Sequence, residues 1–283
     1  MKKPRTQSHL IGRGDLNPGW LLLYAATFAL AALCAWVRVL IAALALLILN
    51  WLAGLIFGTE ASEGNLNALA LLIGFFPLAF SLATLIYPFG GWWFQQQQGG
   101  RRPSERERAL FESAFAELQR SDQELRAPRH WFVVEDPEAD ACTYADALMV
   151  TRGMLEGRSF PAVLAHELGH LNSSDARVSA AVYRMTTPPR EPVGFPLRLI
   201  SFLASGRAAM ALMRTPWAIY WRAREKVADA YAAALGQAEP LAAFLDTHAL
   251  EGDLPTPFKA FGDSTHPWTE HRIEDLEAEE FDE

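Results

Sequence analysis

Residues 163–171 read VLAHELGHL, and this stretch decides how the rest of the chain is interpreted. Residues four apart lie on one face of a helix, so the imidazoles of His166 and His170 can reach a single ion. Glu167 lies one step round the helix, where its carboxylate can reach a water beside that ion. Two buried histidines and a buried carboxylate would be costly without a metal to pair them. The stretch therefore predicts a buried zinc-binding helix.

A catalytic zinc site needs a third protein ligand and an open position. The downstream candidates are Glu225, His248, His266 and His271. Glu225 is favoured because Asp229 follows it by four residues and so shares its helix face. Asp229 could then accept the free ring N–H of a ligating histidine and fix its tautomer. The alternative is that both acids form a solvated helix face. We predict one Zn²⁺ per chain, held by His166, His170 and Glu225.

Three motifs in order make the chain recognisable: HELGH at 166–170, EKVAD at 225–229, and THP at 265–267 followed by Arg272. With them, residues 105–278 resemble the HtpX and CAAX-prenyl endopeptidase family of membrane zinc metalloproteases. The resemblance implies a zincin-like domain of the gluzincin type, with Glu167 as the general base. It also implies that His266 faces the transition state with Arg272 beside it. On its own, that segment would be taken for an ordinary helix start.

The family also has a strand that lines up the substrate backbone, usually with an Asn-Ala-Phe-like stretch. The residues at this place read DACTY over 140–144, so the expected substrate strand consists of Ala141, Cys142, Thr143 and Tyr144. An extended peptide would add to this strand through main-chain hydrogen bonds, which gives broad specificity. The departure from the family pattern concerns substrate preference and not the metal chemistry.

Charge divides the chain into two parts. Residues 1–93 carry five basic and three acidic side chains, whereas residues 94–283 carry twenty basic and thirty acidic ones, for a net charge of −8. An apolar, slightly basic first part followed by an acidic part indicates a membrane anchor followed by a soluble domain. The acidic balance argues against nucleic-acid binding, which requires a dense positive face.

Two apolar runs, residues 39–58 and 68–87, have the length of membrane spans. Each suffices for a hydrocarbon core of ~30 Å. The earlier run, residues 21–36, is open to three interpretations: an interfacial segment, an extension of the first helix, or a third span. Two spans are preferred, because a hairpin between residues 21–36 and 39–58 would have no Gly, Pro or Asn at its turn.

Basic residues flank the apolar part on both sides, and the loop between the two preferred spans carries only acidic ones. By the positive-inside rule, an even number of spans places both flanks in the cytoplasm. We therefore expect an integral protein of the plasma or inner membrane with a cytoplasmic catalytic domain. Residues 1–93 are the predicted anchor, residues 94–103 a linker, and residues 104–283 the metalloprotease domain with an acidic C-terminal tail.

Local patterns predict the architecture of this domain. Ser104 with Glu107 forms a capping-box pattern at the start of a helix, and residues 131–135 and 148–151 are typical of short strands. Helical spacing dominates the remainder. The sequence therefore predicts a mostly helical α+β domain with a small sheet, preceded by transmembrane helices.

Together these features predict a membrane-anchored zinc metalloendopeptidase of HtpX-like type, which acts on peptides or on unfolded or membrane-protein substrates at the lipid bilayer, in membrane-protein quality control. Two alternatives stay open. A CAAX-prenyl-type processing protease would need a large membrane chamber. A catalytically inactive, zinc-stabilised membrane scaffold would have no use for Glu167 as a base beside the metal.

Overall fold

The computed structural model describes residues 18–58, 63–83, 86, 89–172, 207–252 and 269–281. The elements in these ranges are α1 (Pro18–Phe57), α2 (Glu63–Ala83), α3 (Phe89–Gln97), α4 (Glu105–Ser121), β1 (His130–Val134), β2 (Ala141–Tyr144), β3 (Ala147–Thr151), α5 (Arg152–Leu155), α6 (Phe160–Asn172), α7 (Arg207–Ala234), α8 (Ala238–Gly252) and α9 (Thr269–Phe281). The chain divides into two compact units, one containing α1 and α2, the other containing the sheet, α3 to α6, α7 from Pro216 onward, α8 and α9. The expected mostly helical α+β fold is confirmed.

The first unit is built on one continuous helix. α1 is 40 residues long, and its stretch Ala25–Phe57 is, among the described residues, the one long and apolar enough to cross a membrane. Residues 21–36 therefore extend the first helix, which is one of the three interpretations that the sequence left open. α2 contributes the shorter apolar stretch Gly64–Phe76.

α1 and α2 pack closely where small and aromatic residues meet. A Cβ on Gly74 would lie 2.8 Å from the backbone nitrogen of Val39, so only glycine permits this approach. Trp36 and Phe75 meet edge to face, with ring centroids 5.2 Å apart. Many other large apolar side chains of the two helices, such as Leu55, remain exposed. An apolar surface of this extent suits lipid better than water.

The second unit is centred on a three-stranded sheet of order β1-β3-β2. β1 runs parallel to β3, and β2 runs antiparallel to it. β3 is the middle strand and is buried along its whole length, as a run of apolar residues in a two-sided core requires. β2 turns into β3 through Ala145, whose φ of 56° lies in the left-handed region. One long side of β2 is consequently left as a sheet edge.

The capping box at the start of α4 is confirmed. The Ser104 hydroxyl accepts a hydrogen bond from the backbone of Glu107, whose carboxylate accepts one from the backbone of Ser104. The Arg101 guanidinium donates hydrogen bonds of 2.7 and 2.6 Å to the two Glu107 oxygens. These bonds lower the pKa of that carboxyl to about 2. The backbone of Arg101 also pairs with Val133 at the end of β1. These bonds join the start of α4 to the sheet.

Residues 94–103 differ from the predicted linker, because they belong to the packed fold. Phe94 is buried at the end of α3, where its ring stacks on Tyr144 at 4.8 Å and meets Phe132 edge to face at 5.4 Å. Gln95 contacts His130 through a 3.0 Å hydrogen bond. The glutamine-rich composition suggested a linker, but the aromatic residue before it supplies the side chain that anchors the segment to the sheet.

We expect Phe94→Ala to destabilise the second unit by about 3 kcal/mol, because it removes a buried aromatic ring and leaves a cavity. Gln96→Ala is the matched control, since Gln96 is exposed on the same helix. Thermal unfolding of the full-length protein in detergent would measure both variants. Equal melting temperatures for Phe94→Ala and wild type would show that residues 94–103 act as a linker after all.

Candidate metal centre

α6 carries the HELGH motif through the core. Leu164 and Leu168 are fully buried and fix one face of the helix in the hydrophobic core. The helix begins at Phe160, itself buried in the same core. Because the register of the helix is set by these residues, His166 and Glu167 are carried into the interior, each only 7% exposed.

Three side chains converge at one point between α6 and α7. The Nε2 atoms of His166 and His170 lie 3.2 Å apart. One oxygen of Glu225 lies 3.5 Å from the His166 nitrogen, and the other lies 3.4 Å from that of His170. The structure thus brings together the three residues that the sequence predicts as ligands, from two helices, with Glu225 more than fifty positions after His170.

These distances fit the coordination of zinc. Donor atoms held 2.0–2.2 Å from a tetrahedral ion lie about 3.3–3.6 Å from one another. The imidazole nitrogens lie 3.2 Å apart, and each lies 3.4 or 3.5 Å from a different oxygen of Glu225, so all three side chains are close enough to share one ion. Two imidazole nitrogens and one carboxylate oxygen are also the donor set of a catalytic zinc site.

The electrostatics of the centre favour a cation. Burial would lower the pKa of His166, but the neighbouring carboxylates of Asp229 and Glu225 outweigh burial and raise that pKa to about 10. One oxygen of Glu167 is buried and has no hydrogen-bond partner among the described residues. A buried cluster of carboxylates around two imidazoles is stabilised when a metal ion supplies the opposing charge.

Asp229 contacts the ring of His166 on the side away from Glu225 and His170. Its Oδ1 lies 2.8 Å from His166 Nδ1, so Nε2 of the same ring is left to face Glu225 and His170. Arg272 on α9 grips both oxygens of Asp229, with hydrogen bonds of 2.8 and 2.7 Å. Burial would raise the pKa of Asp229, but the hydrogen bonds from Arg272 and His166 outweigh burial and lower it. Asp229 is therefore held as a carboxylate next to the ring nitrogen.

Arg272 also reaches the third predicted ligand, because its Nη1 lies 3.4 Å from Glu225 Oε2. One guanidinium thus contacts both acids of α7 that build the centre. The family resemblance places Arg272 beside His266, which lies outside the described residues. Its observed partners, Asp229 and Glu225, give it a positioning role that the sequence alone did not indicate.

A glycine sets the spacing of the two helices that carry the ligands. A Cβ on Gly169 would lie 3.0 Å from the backbone Cα of Ala228 and 3.2 Å from Cβ of Tyr231. Any larger residue would push α7 away from α6. Because Glu225 lies on the same helix one turn before Ala228, the absence of a side chain at 169 lets its carboxylate reach the two imidazoles.

Glu167 lies beside this centre and against the substrate-strand candidate. Burial raises the pKa of its carboxyl, partly offset by the two imidazoles and by a hydrogen bond involving the Thr143 side chain. Cys142, half-buried on the same strand, has its thiol pKa raised by burial and by the neighbouring Glu167 and Asp140. The thiol is therefore held in its neutral form, which is a poor nucleophile.

The centre opens into a cleft of about 380 Å³. Its residues come from the edge strand β2, from α6 with its two histidines and Glu167, from α7, and from Arg272 on α9. The remaining wall is apolar and consists of Trp221, Leu241, Phe244 and Leu245. Sequence reasoning missed this wall, although Leu241, Phe244 and Leu245 recur at the i, i+3, i+4 spacing of one helix face.

The predicted site residues are thus only partly covered by the described structure. His166, Glu167, His170, Glu225, Asp229 and Arg272 form one continuous cluster, and Ala141, Cys142 and Thr143 line the same cleft. Tyr144, the last residue of β2, packs on Phe94 instead. His266 lies outside the described residues, and the side chains of His248 and His271 are likewise not described.

A mostly helical α+β domain with a HELGH helix, a converging glutamate and an edge strand along the cleft has the architecture of a metallopeptidase. A family model described as Peptidase family M48 matches residues 106–280. The chain belongs to this family of zinc metallopeptidases, and hence to a family of hydrolases that cleave peptides. None of the curated individual proteins compared with the chain matches it.

We expect Arg272→Gln to weaken metal binding about 10- to 100-fold, because outer partners of metal-binding side chains contribute on this scale. Lys226→Gln is the matched control, since Lys226 also joins α7 to α9, through Asp275 at 2.6 Å, but on the exposed surface. Zinc titration against a competing chelator would compare the two. Equal zinc affinity in both variants would mean that Arg272 only joins the helices.

Proposed function

We propose that the protein is a membrane-anchored zinc metalloendopeptidase that hydrolyses peptide bonds of unfolded or membrane-inserted proteins. The observation that carries this proposal is the convergence of His166, His170 and Glu225 at one point, with Glu167 beside them in an open cleft. A scaffold protein would need the ligands but neither the adjacent carboxylate nor the cleft.

The division of labour follows from the positions of the side chains. His166, His170 and Glu225 would hold one Zn²⁺, which when bound supplies Lewis-acid polarisation of the peptide carbonyl and of water. Glu167 lines the cleft and would take the proton of the attacking water and deliver it to the leaving amine. Asp229 holds the His166 ring in its tautomer, and Arg272 holds Asp229. His266 is proposed to donate a hydrogen bond to the developing oxyanion, as the family resemblance implies.

Substrate binding would use the free edge of β2. In the sheet, Ala141–Tyr144 pair only with β3 among the described strands, so the outer side of β2 offers main-chain donors and acceptors to an extended peptide. The strand borders the cleft that contains Glu167, which would bring a peptide bond paired there close to the base. The wall of Trp221, Phe244 and Leu245 would pack against an apolar side chain of that peptide and exclude water.

The proposed HtpX-like subfamily rests on the size of the membrane anchor. An HtpX-like quality-control protease needs a catalytic domain held at a membrane, whereas a CAAX-prenyl-type protease needs a large chamber built from many helices. Among the described residues, one helix is long enough to span a membrane and one shorter apolar helix packs against it. This small helical unit supports the HtpX-like proposal. The CAAX-type alternative is tested by comparing cleavage of a farnesylated peptide with cleavage of an unfolded protein.

We expect Glu167→Gln to retain about one zinc per chain and to lose at least about 10²-fold of the activity on casein, because the general base is removed. Glu225→Ala is the companion variant and should lose most of the zinc. Metal analysis and casein cleavage on the same preparations would check both results. Cleavage by Glu167→Gln at the wild-type rate would contradict the mechanism, and full zinc in Glu225→Ala would show that another residue, such as His266, is the third ligand.

The proposed orientation follows from the basic residues on both sides of the anchor and the acidic loop between its helices. A reporter fused after Glu283 should behave as cytosolic, and one inserted near Glu63 should behave as external. Protease protection of the reporters in intact cells would measure this. An external C-terminal reporter would require an odd number of spans and a catalytic domain outside the cytoplasm.

A further inference from the structure

α3 presents two different faces. The inner face consists of Gly90, Gly91 and Phe94, all buried in the second unit. A Cβ on Gly91 would lie 3.0 Å from the His130 ring, so this face is seated tightly on the sheet. On the other side the Trp92 side chain is 50% exposed. A single exposed apolar side chain is common on protein surfaces, whereas a contiguous exposed apolar patch marks an interaction surface.

The exposed tryptophan belongs to an aromatic cluster. The Trp92 ring lies 5.9 Å from that of Phe89 and 6.4 Å from that of Trp93. Ile86, just before the helix, is 64% exposed. The last turn of α3 changes to exposed glutamines, and the exposed Arg102 follows a few residues later. In membrane proteins, aromatic rings favour the boundary between acyl chains and headgroups, and amide and basic side chains favour the headgroup layer outside it. The order of side chains along α3 matches this order of layers.

The chain itself keeps α3 near the bilayer, given the membrane anchor proposed above. α2 ends at Ala83 and α3 begins at Phe89, and six residue steps span at most about 21 Å. The interface with its headgroups is about 5–8 Å thick on each side of a bilayer, so this tether leaves α3 within reach of that interface. Between Glu63 and Glu105 the sequence contains no acidic residue that an anionic lipid surface would repel.

We propose that α3 is an interfacial membrane-binding helix, and that Ile86, Phe89 and Trp92 insert at the headgroup boundary of the bilayer that anchors the chain. This inference rests on the membrane anchoring in the proposed function, but not on peptide hydrolysis. Phe94, on the opposite face, stacks on Tyr144 at the end of β2. Membrane contact by α3 therefore also fixes the height of the substrate strand above the bilayer, which favours substrate segments that emerge from the same membrane.

Nitroxide scanning tests the membrane contact without reference to activity. Trp92→Cys and Glu112→Cys are labelled in full-length Cys34→Ala/Cys142→Ala protein, reconstituted in nanodiscs that contain anionic lipid, with zinc content as the check on folding. Glu112 is exposed on α4 and serves as the aqueous control. For each label, the collision rate with oxygen is divided by the collision rate with a water-soluble nickel complex. We expect this ratio to be several-fold higher for the label at 92 than for the label at 112. Equal ratios would overturn the proposal, and shielding of position 92 from both reagents would point to a protein partner instead.

A second experiment tests the consequence for substrates. Trp92→Glu should reduce cleavage of a peptide tethered to the nanodisc lipid by roughly tenfold, with kcat/KM for the same peptide free in solution unchanged, because a carboxylate opposes insertion at the interface. Gln96→Glu places the same charge one turn further along α3, towards the aqueous side, and should change neither rate. Equal losses on both peptides, or no loss on the tethered one, would overturn the coupling between α3 and substrate. If wild type cleaves neither peptide, the proposed hydrolysis fails while the nitroxide result still decides the membrane contact.

Discussion

The protein must hold Glu167, Glu225 and Asp229 together in its interior, and this constraint governs the second unit. Three buried carboxylates would repel one another and lose their hydration, which neither hydrophobic packing nor backbone hydrogen bonds can offset. Arg272 supplies one positive charge, bound to Asp229 and close to Glu225. The two imidazoles and the metal that they fit would supply the remainder. The stability of this unit and its metal affinity are therefore expected to be coupled.

The same constraint explains why three helices meet where they do. α6 and α7 approach closely at Gly169 and Ala228, which places Glu225 opposite the histidines. α9 is secured by Leu276 in the core, from which Arg272 reaches Asp229 one turn earlier. The exposed Lys226–Asp275 pair joins the same two helices but, being open to solvent, contributes little. Close packing thus fixes the positions of the predicted ligands, and the buried guanidinium of Arg272 offsets the negative charge of Asp229 and Glu225.

The features of this arrangement that follow from helical periodicity could be predicted from the sequence. The spacing of His166 and His170, and of Glu225 and Asp229, places each pair on one helix face, and the capping box at Ser104 is local by nature. The partners of Arg272 could not be predicted in this way, because they depend on how α9 docks across forty residues of chain. The packing of residues 94–103 could not be predicted either, because their glutamine-rich composition is typical of a linker. It depends on the contacts of Phe94 with Phe132 and Tyr144, which lie far away in sequence.

Phe94 and Trp92 lie on opposite faces of the short helix α3, one packed against the sheet and one exposed. Two residues apart on α3, they point to different sides, one into the sheet and one away from it. A flexible linker would let the cleft sample all distances from the membrane, whereas insertion of α3 at the interface, as proposed above, would hold it near one distance. A fixed distance lowers the entropic cost of presenting a membrane-tethered peptide to β2, because fewer orientations of the domain must be given up on binding. Interfacial contact by α3 would therefore suit substrates in the same bilayer better than those that diffuse freely.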